Sequence, residues 1–263
     1  PAIVLRTPAA KAPSRLRSSA AGTLSIRLRD MDLTDVFFVL HLLTGQGFLV
    51  DEDVRGRVTF DVNQATLEEA LTLLGKAGVA VSPPGPLRRV SRTAARAALP
   101  APTGEGTPVT FALKRAPVAD ILAVIGDADP ALPPPPRIPS GHLSLWASEA
   151  RLADVRAAVL LAIGATATPA PAASASPSAP VPSAERRLLV RADELAVSEF
   201  QLAGVASTGE GWTAFAYAPT GVLNAYRRGA HLADGTIAEV QSTDVLLTTE
   251  EGPVRVLLPD PGR

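Results

Sequence analysis

The chain reads as α+β: two small αβ units followed by a small all-β domain. Three observations predict this class. The stretch LSIRLRDMDLTDVFFVL at residues 24–40 returns at residues 109–125 as VTFALKRAPVADILAVI, a shift of 85. Both copies read as an alternating apolar strand, a short polar turn and an apolar stripe at helical spacing. Residues 165–184 are Ala, Pro, Ser or Thr at nineteen of twenty positions and carry no charge. Such a segment cannot bury a core, and fully extended it spans on the order of 60 Å. Beyond it, turn signals recur about every eight to twelve residues, as in a small sandwich or barrel.

Residues 1–22 are rich in Ala, Pro, Ser and Arg without periodicity and read as a flexible lead. The first unit, residues 23–93, opens where Leu24, Ile26 and Leu28 alternate with Ser25, Arg27 and Arg29. Asp32 is placed to cap a helix whose stripe is Leu33, Val36, Phe37, Leu40 and Leu43, and Gly45 and Gly47 supply its exit. Short strands follow at residues 48–50 and 58–62. Thr66 to Glu69, TLEE, makes a capping box ahead of Leu67, Ala70, Leu71 and Leu74. A hairpin at residues 79–82 and 87–91 around a proline-glycine turn completes β-α-β-β-α-β-β.

Residues 94–107 read as a linker, and the second unit occupies 108–164. Val109, Phe111 and Leu113 alternate, Pro117 favours a helix's first turn, and Val118, Ile121, Leu122 and Ile125 form the stripe. A proline-rich loop, DADPALPPPPRIPSG, separates this helix from the alternation of Leu143, Leu145 and Ala147. A last helix carries Leu152, Val155, Val159 and Leu160. Val58, Thr59 and Phe60 fall on Leu143, Ser144 and Leu145, and Leu67 on Leu152, still at a shift of 85. The repeat therefore spans two strands and two helices. After the linker at 165–185, residues 186–263 form the all-β domain.

Composition narrows the function classes. Apolar content of 46% suits a globular chain, and a net charge of -1 gives no bulk drive toward nucleic acid or membrane. The positive excess sits in the lead and in Arg88, Arg89, Arg92 and Arg96, which read as a solvated segment because no aromatic is interleaved to stack on bases. There is no cysteine, hence no disulfide, thiolate nucleophile or thiolate metal site. No apolar run approaches the roughly 20 residues of a membrane span, and a start at Pro1 rather than Met reads as a mature or trimmed piece.

Catalytic signatures are missing. His41, His142 and His231 fall in three different units, without a second ligand at metal-binding spacing, and read as surface or edge residues. GEGWTA at 209–214 resembles a dinucleotide fingerprint, but it precedes a strand-like run rather than opening a helix. Asp51, Glu52 and Asp53 read as an acidic turn rather than a calcium loop. The chain is therefore read as non-enzymatic, with no cofactor and no metal. Trp212, Phe215, Tyr217 and Tyr226 cluster in the last domain, as core or as anchors for a partner.

Residues 24–74 resemble the first periplasmic N domain of secretins, also found as the STN module, at Asp32, Leu33, Asp35, Val36, Asp51, Val54, Gly56, Val58 and Thr59. Residues 108–164 look like the second, KH-like N domain. Residues 200–252 are similar to the β-domain of the type IV pilus PilP family and to the homology region of the type II secretion GspC family. The elements carrying this are Leu202, Gly204, Val205, Trp212, Ala214, Pro219, Gly221, Gly229, Gly235, Ile237, Val240 and Val245. The lipid-bearing cysteine of those families is absent.

This resemblance implies a periplasmic scaffold subunit of a type IV pilus machine in a Gram-negative bacterium. It links the inner-membrane platform to the outer-membrane secretin ring through protein-protein contacts. In those families the β-domain docks on the secretin's first N domain, and this chain carries a likeness of both halves. The implied partners are a secretin ring or secretin-like N domains, its own included, and pilus platform proteins, with a homo-oligomer or ring as the assembly and no nucleic acid. Edge pairing is the physical contact expected of small open sheets, through residues 24–28 (Leu24, Ile26, Leu28) and 200–205 (Phe200, Leu202, Val205), with Trp212 and Tyr226 as further contacts. A GspC-like component of type II secretion and an STN-type signalling module are the alternatives.

Overall fold

A computed structural model describes residues 4–5, 22–92, 108–128, 140–164, 195–209 and 211–259, with backbone alone for Val4 and Leu5. Over these residues the fold is α+β, with four α-helices and mostly antiparallel strands in three small sheets. The linkers at 94–107 and 165–185 and the proline-rich loop at 129–139 lie outside the described residues.

Residues 24–91 run in the expected order. They form β2 (Leu24–Asp32), α1 (Leu33–Thr44), β3 (Gly47–Val50), β4 (Arg57–Ala65), α2 (Leu67–Gly75), β5 (Ala80–Val81) and β6 (Leu87–Ser91). Both helix starts obey their local chemistry. The Asp32 carboxylate accepts the Thr34 amide at 2.9 Å, and Thr66 and Glu69 form the reciprocal capping box. α1 ends on Gly45 at φ 73°, a left-handed conformation that glycine adopts without strain.

The second segment is β7 (Pro108–Pro117), α3 (Val118–Ala128), β8 (His142–Arg151) and α4 (Leu152–Ala162). The third begins with a short 3₁₀ turn, Val197–Glu199. It continues as β9 (Gln201–Ser207), β10 (Trp212–Tyr217), β11 (Leu223–Tyr226), β12 (His231–Leu232), β13 (Gly235–Val240), β14 (Asp244–Thr249) and β15 (Gly252–Leu257). Two residues of the lead, β1 (Val4–Leu5), are also extended and pair with Ala112 and Phe111; the reading of the lead as flexible otherwise concerns residues outside those described.

The sheets do not respect the sequence segments. The six-stranded sheet runs β1-β7-β8-β3-β6-β5 and joins the first segment to the second; the five-stranded sheet runs β11-β10-β9-β2-β4 and joins the first to the third. The four-stranded sheet, β12-β13-β14-β15, belongs to the third segment alone. β3 is the splice of the first joint: parallel to β6 on one side, antiparallel to β8 on the other, and buried along its whole length. The largest apolar cluster accordingly mixes Phe37, Leu40 and Phe48 with Trp146 of β8 and with Ala206 and Phe215 of the third segment.

The repeat holds in three dimensions, residue for residue. In the hairpin β2–β4 the register slips between Leu24 and Ile26 and between Leu28 and Met31; in β7–β8 it slips between Val109 and Phe111 and between Leu113 and Ala116. Each slip is a bulge with one residue at positive φ: Asp30 (44°) and Gln64 (51°) in the first hairpin, Arg115 (46°) and Glu149 (55°) in the second. Every one of these four offends the left-handed region's preference for glycine, and every one is held by a hydroxyl. The amides of Asp30 and Arg115 donate to Thr59 Oγ1 (3.2 Å) and Ser144 Oγ (2.9 Å). Those of Gln64 and Glu149 donate to Ser25 Oγ (3.1 Å) and Thr110 Oγ1 (3.5 Å). All four pairs of positions are 85 apart.

Candidate interaction site at the junction of the three segments

The third segment reaches the first through β9, which pairs antiparallel with β2: Ser25 faces Ser207, Ile26 faces Ala206, Arg27 faces Val205 and Leu28 faces Gly204. The approach depends on a bare α-carbon. A Cβ on Gly204 would meet Leu28 Cδ2 at 2.4 Å and the Arg27 carbonyl oxygen at 2.8 Å. The contact register lies toward the C-terminal half of β9, so Phe200, just before the strand, and Leu202, which faces Ala216 of β10, lie outside it.

What these strands bring to the joint is backbone. Leu24, Ile26 and Leu28 are buried in the first core, and Phe200, Leu202 and Val205 in the third. Trp212 and Tyr226 are half-buried against that third core, with the Tyr226 and Phe200 rings 5.5 Å apart and tilted. Outward, Arg27 adds a longer reach, its Nη1 donating to the Ser242 carbonyl at 3.5 Å.

Beside the ladder stands a polar knot tied from all three segments. Asp35, in the first turn of α1, is almost wholly buried, and its Oδ2 accepts both Lys114 Nζ of β7 (2.7 Å) and the Tyr217 hydroxyl of β10 (2.8 Å). Tyr217 accepts the Asp32 amide at 3.3 Å, and Arg115 pairs with the Asp32 carboxylate at 2.9 Å. Burial pushes the Asp35 carboxyl above its ordinary range even though Lys114 and Tyr217 pull the other way. Burial, with the Asp35 charge close by, also raises the Tyr217 phenol. A cleft of about 560 Å³ opens over this knot, lined by Asp32, Asp35, Arg57, Lys114, Glu199 and Tyr217 among others.

A second set of buried groups locks the first segment to the second. Arg89 and Asp51, each 4% exposed, form a bidentate pair at 2.9 and 3.0 Å. The same guanidinium donates to the carbonyls of Ala162 (2.7 Å) and Leu161 (3.4 Å), satisfying the C-terminal end of α4. Arg88, also buried, pairs with Glu68 of α2. These two arginines are therefore braces, not the solvated segment their sequence suggests. His41 is likewise interior: Nδ1 bonds the Gln46 carbonyl (2.8 Å) and Nε2 bonds Ser148 Oγ of β8 (3.1 Å), and burial lowers its pKa. His142 and His231 are exposed, as read. Asp51 belongs to a brace, while Glu52 and Asp53 make the turn.

Chemically the junction is a clasp. Its one carboxyl with a raised pKa has its oxygen engaged by an ammonium and a phenol from other segments, each of which is needed to tolerate the buried charge. Among the described residues no group of three or more His, Asp or Glu side chains could hold a metal ion, and no helix is long and apolar enough to cross a membrane. The sequence offers no signal for Asp35, Lys114 and Tyr217 as a set, because they lie 79 and 182 positions apart. The chain matches no protein-family model, no curated protein and no solved structure.

Proposed function

We propose that the chain is a non-enzymatic scaffold subunit of a type IV pilus machine, acting in the periplasm of a Gram-negative bacterium. It bridges the inner-membrane platform and the outer-membrane secretin ring through strand-edge contacts. One observation carries the reading. The segment that resembles a PilP or GspC β-domain adds its strand β9 to β2, the first strand of the segment that resembles a secretin N domain. That is the pairing of partners the resemblance implies, here closed within one chain. A chain that holds both halves has its β-domain at an effective concentration on the order of millimolar beside its own docking edge. Exchange of that edge with a neighbour's converts the closed chain into an assembly, and continued in one sense it generates a ring.

The experiment is cross-linking in the intact envelope, with the adducts of the full chain identified. The expected adducts are the outer-membrane secretin and pilus platform proteins. Adducts confined to type II secretion proteins assign the chain to that machine instead, and adducts to neither overturn the proposal. Mass and particle shape of the purified chain, with and without residues 186–263, separate a self-bridging multimer from a closed adaptor.

A further inference from the structure

β4 ends the five-stranded sheet, and among the described residues no strand pairs with its outer edge. It is also the longest terminal strand, nine residues against two in β1, β5 and β12, four in β11 and six in β15, which is blunted by Pro253. The internal repeat supplies a reference for what such an edge does. The counterpart of β4 is β8, and β8 is covered: Trp146, Leu145 and Ser144 pair antiparallel with Phe48, Leu49 and Val50 of β3. Shifted by 85, those positions are Asp61, Phe60 and Thr59. Among the described residues, the same hairpin that accepts an antiparallel third strand in one copy lacks it in the other, and β3 cannot serve both because its second edge is held by β6.

The residues along the open edge say what fits. Arg57-Val58-Thr59-Phe60-Asp61 is complementary to itself in reverse. Laid antiparallel about Thr59, two copies place Arg57 opposite Asp61 twice and Val58 opposite Phe60 twice. Faces agree as well as charges. Arg57, Thr59 and Asp61 point to solvent, whereas Val58 and Phe60 pack on the core side. The bulged residue of β4, Gln64, lies beyond this stretch, and the slip opposite Thr59 places its extra residue in β2, so β4 itself runs regularly from Arg57 to Asp61. Asp30 already pairs with Arg57 (2.8 Å) and Arg29 with Asp61 (3.0 Å), so the cross-strand pairs would extend an alternating row of charge.

We propose that β4 is an isologous interface, joining two copies of this chain edge to edge so that two five-stranded sheets become one of ten. Sedimentation of the full chain over a wide concentration range should show a monomer-dimer equilibrium. Arg57→Asp and Asp61→Arg each set like charges opposite one another and weaken the dimer by about tenfold or more. Mixed in equal amounts, the two variants regain dimerisation, because every facing pair is then opposite in sign. That recovery cannot arise from misfolded chains. A wild-type chain that stays monomeric at the highest concentration, or variants that fail to recombine while their thermal melts are intact, overturns the proposal. Capture of an unrelated strand by a monomeric chain would overturn it too.

Discussion

The hairpins β2–β4 and β7–β8 share register, bulges and hydroxyl ties, yet they keep different company. β2 gives its outer edge to four residues of β9, and β7 gives the equivalent edge to the two residues of β1. β8 is covered by β3, and β4 ends its sheet. The buried bonds differ as well. His41 of α1 reaches across to Ser148, while its counterpart in α3 is Gly126, which has no side chain to offer. Lys114 and Arg115 of the second hairpin are spent on Asp35 of α1 and on Asp32, its cap. A repeated unit thus supplies interchangeable edges, and the few side chains that break the repeat decide what each edge holds.

The comparison is broken hardest at Gly204. Gly204→Val drives a side chain into Leu28 and the Arg27 carbonyl, and should cost about 3 kcal/mol or more of the β2–β9 contact. Hydrogen exchange should then rise at residues 25–28 and stay unchanged at the equivalent residues 110–113. Equal loss of protection in both hairpins would show that the third segment stabilises the whole molecule rather than one edge.

Next comes Lys114→Met, which leaves Asp35 buried without its cation and should cost about 2 kcal/mol near neutral pH. The folded-state pKa of Asp35 already lies above its ordinary value. Stability of the variant therefore recovers as pH falls through that raised pKa, because the protonated carboxyl needs no counter-ion and can still bond Tyr217. Denaturant melts at a series of acidic pH values test the sign, and a penalty independent of pH refutes it.

His41 predicts the opposite slope. Its folded pKa is depressed, so the stability of the neutral ring is complete above about pH 6.5 and is lost as pH falls, by up to about 1 kcal/mol at pH 5.5. His41→Gln should flatten that dependence. The smallest effects are at the bulges. Glycine at Gln64 relieves a positive φ and should stabilise by about 0.5 kcal/mol, whereas at Arg115 the same change also removes the pair with Asp32. Asp30→Gly should gain less, since aspartate tolerates this region better.

Local elements were legible wherever a single physical signal decided them. Alternation marked β2, β7 and β8, the capping residues marked α1 and α2, and the hairpin β5–β6 followed from its turn. The bulges were not, because Gln64, Arg115 and Glu149 are not residues that advertise a left-handed turn, and Asp30 sits inside an alternating apolar run that reads as continuous strand. The splice through β3 was hidden for a different reason. GFLV is apolar on both faces, a pattern that signals burial without naming a neighbour. Arg88, Arg89 and His41 looked exposed because polarity predicts surface until tertiary partners are known. At the candidate site, the ladder within the chain joins residues 25–28 to 204–207, a register that the alternation of either strand alone does not fix. Gly204 stood out in the sequence only as part of a spacing; its steric role needs Leu28 beside it.

The clasp between β2 and β9 also has a timetable. Its two strands are separated by about 180 residues of chain, so the contact closes a far longer loop than either hairpin does and forms after them. During that interval the first hairpin presents two open edges instead of one. The narrow fit at Gly204 bears on that interval, because a strand with a side chain at this position meets Leu28 Cδ2 and the Arg27 carbonyl oxygen and cannot settle as closely.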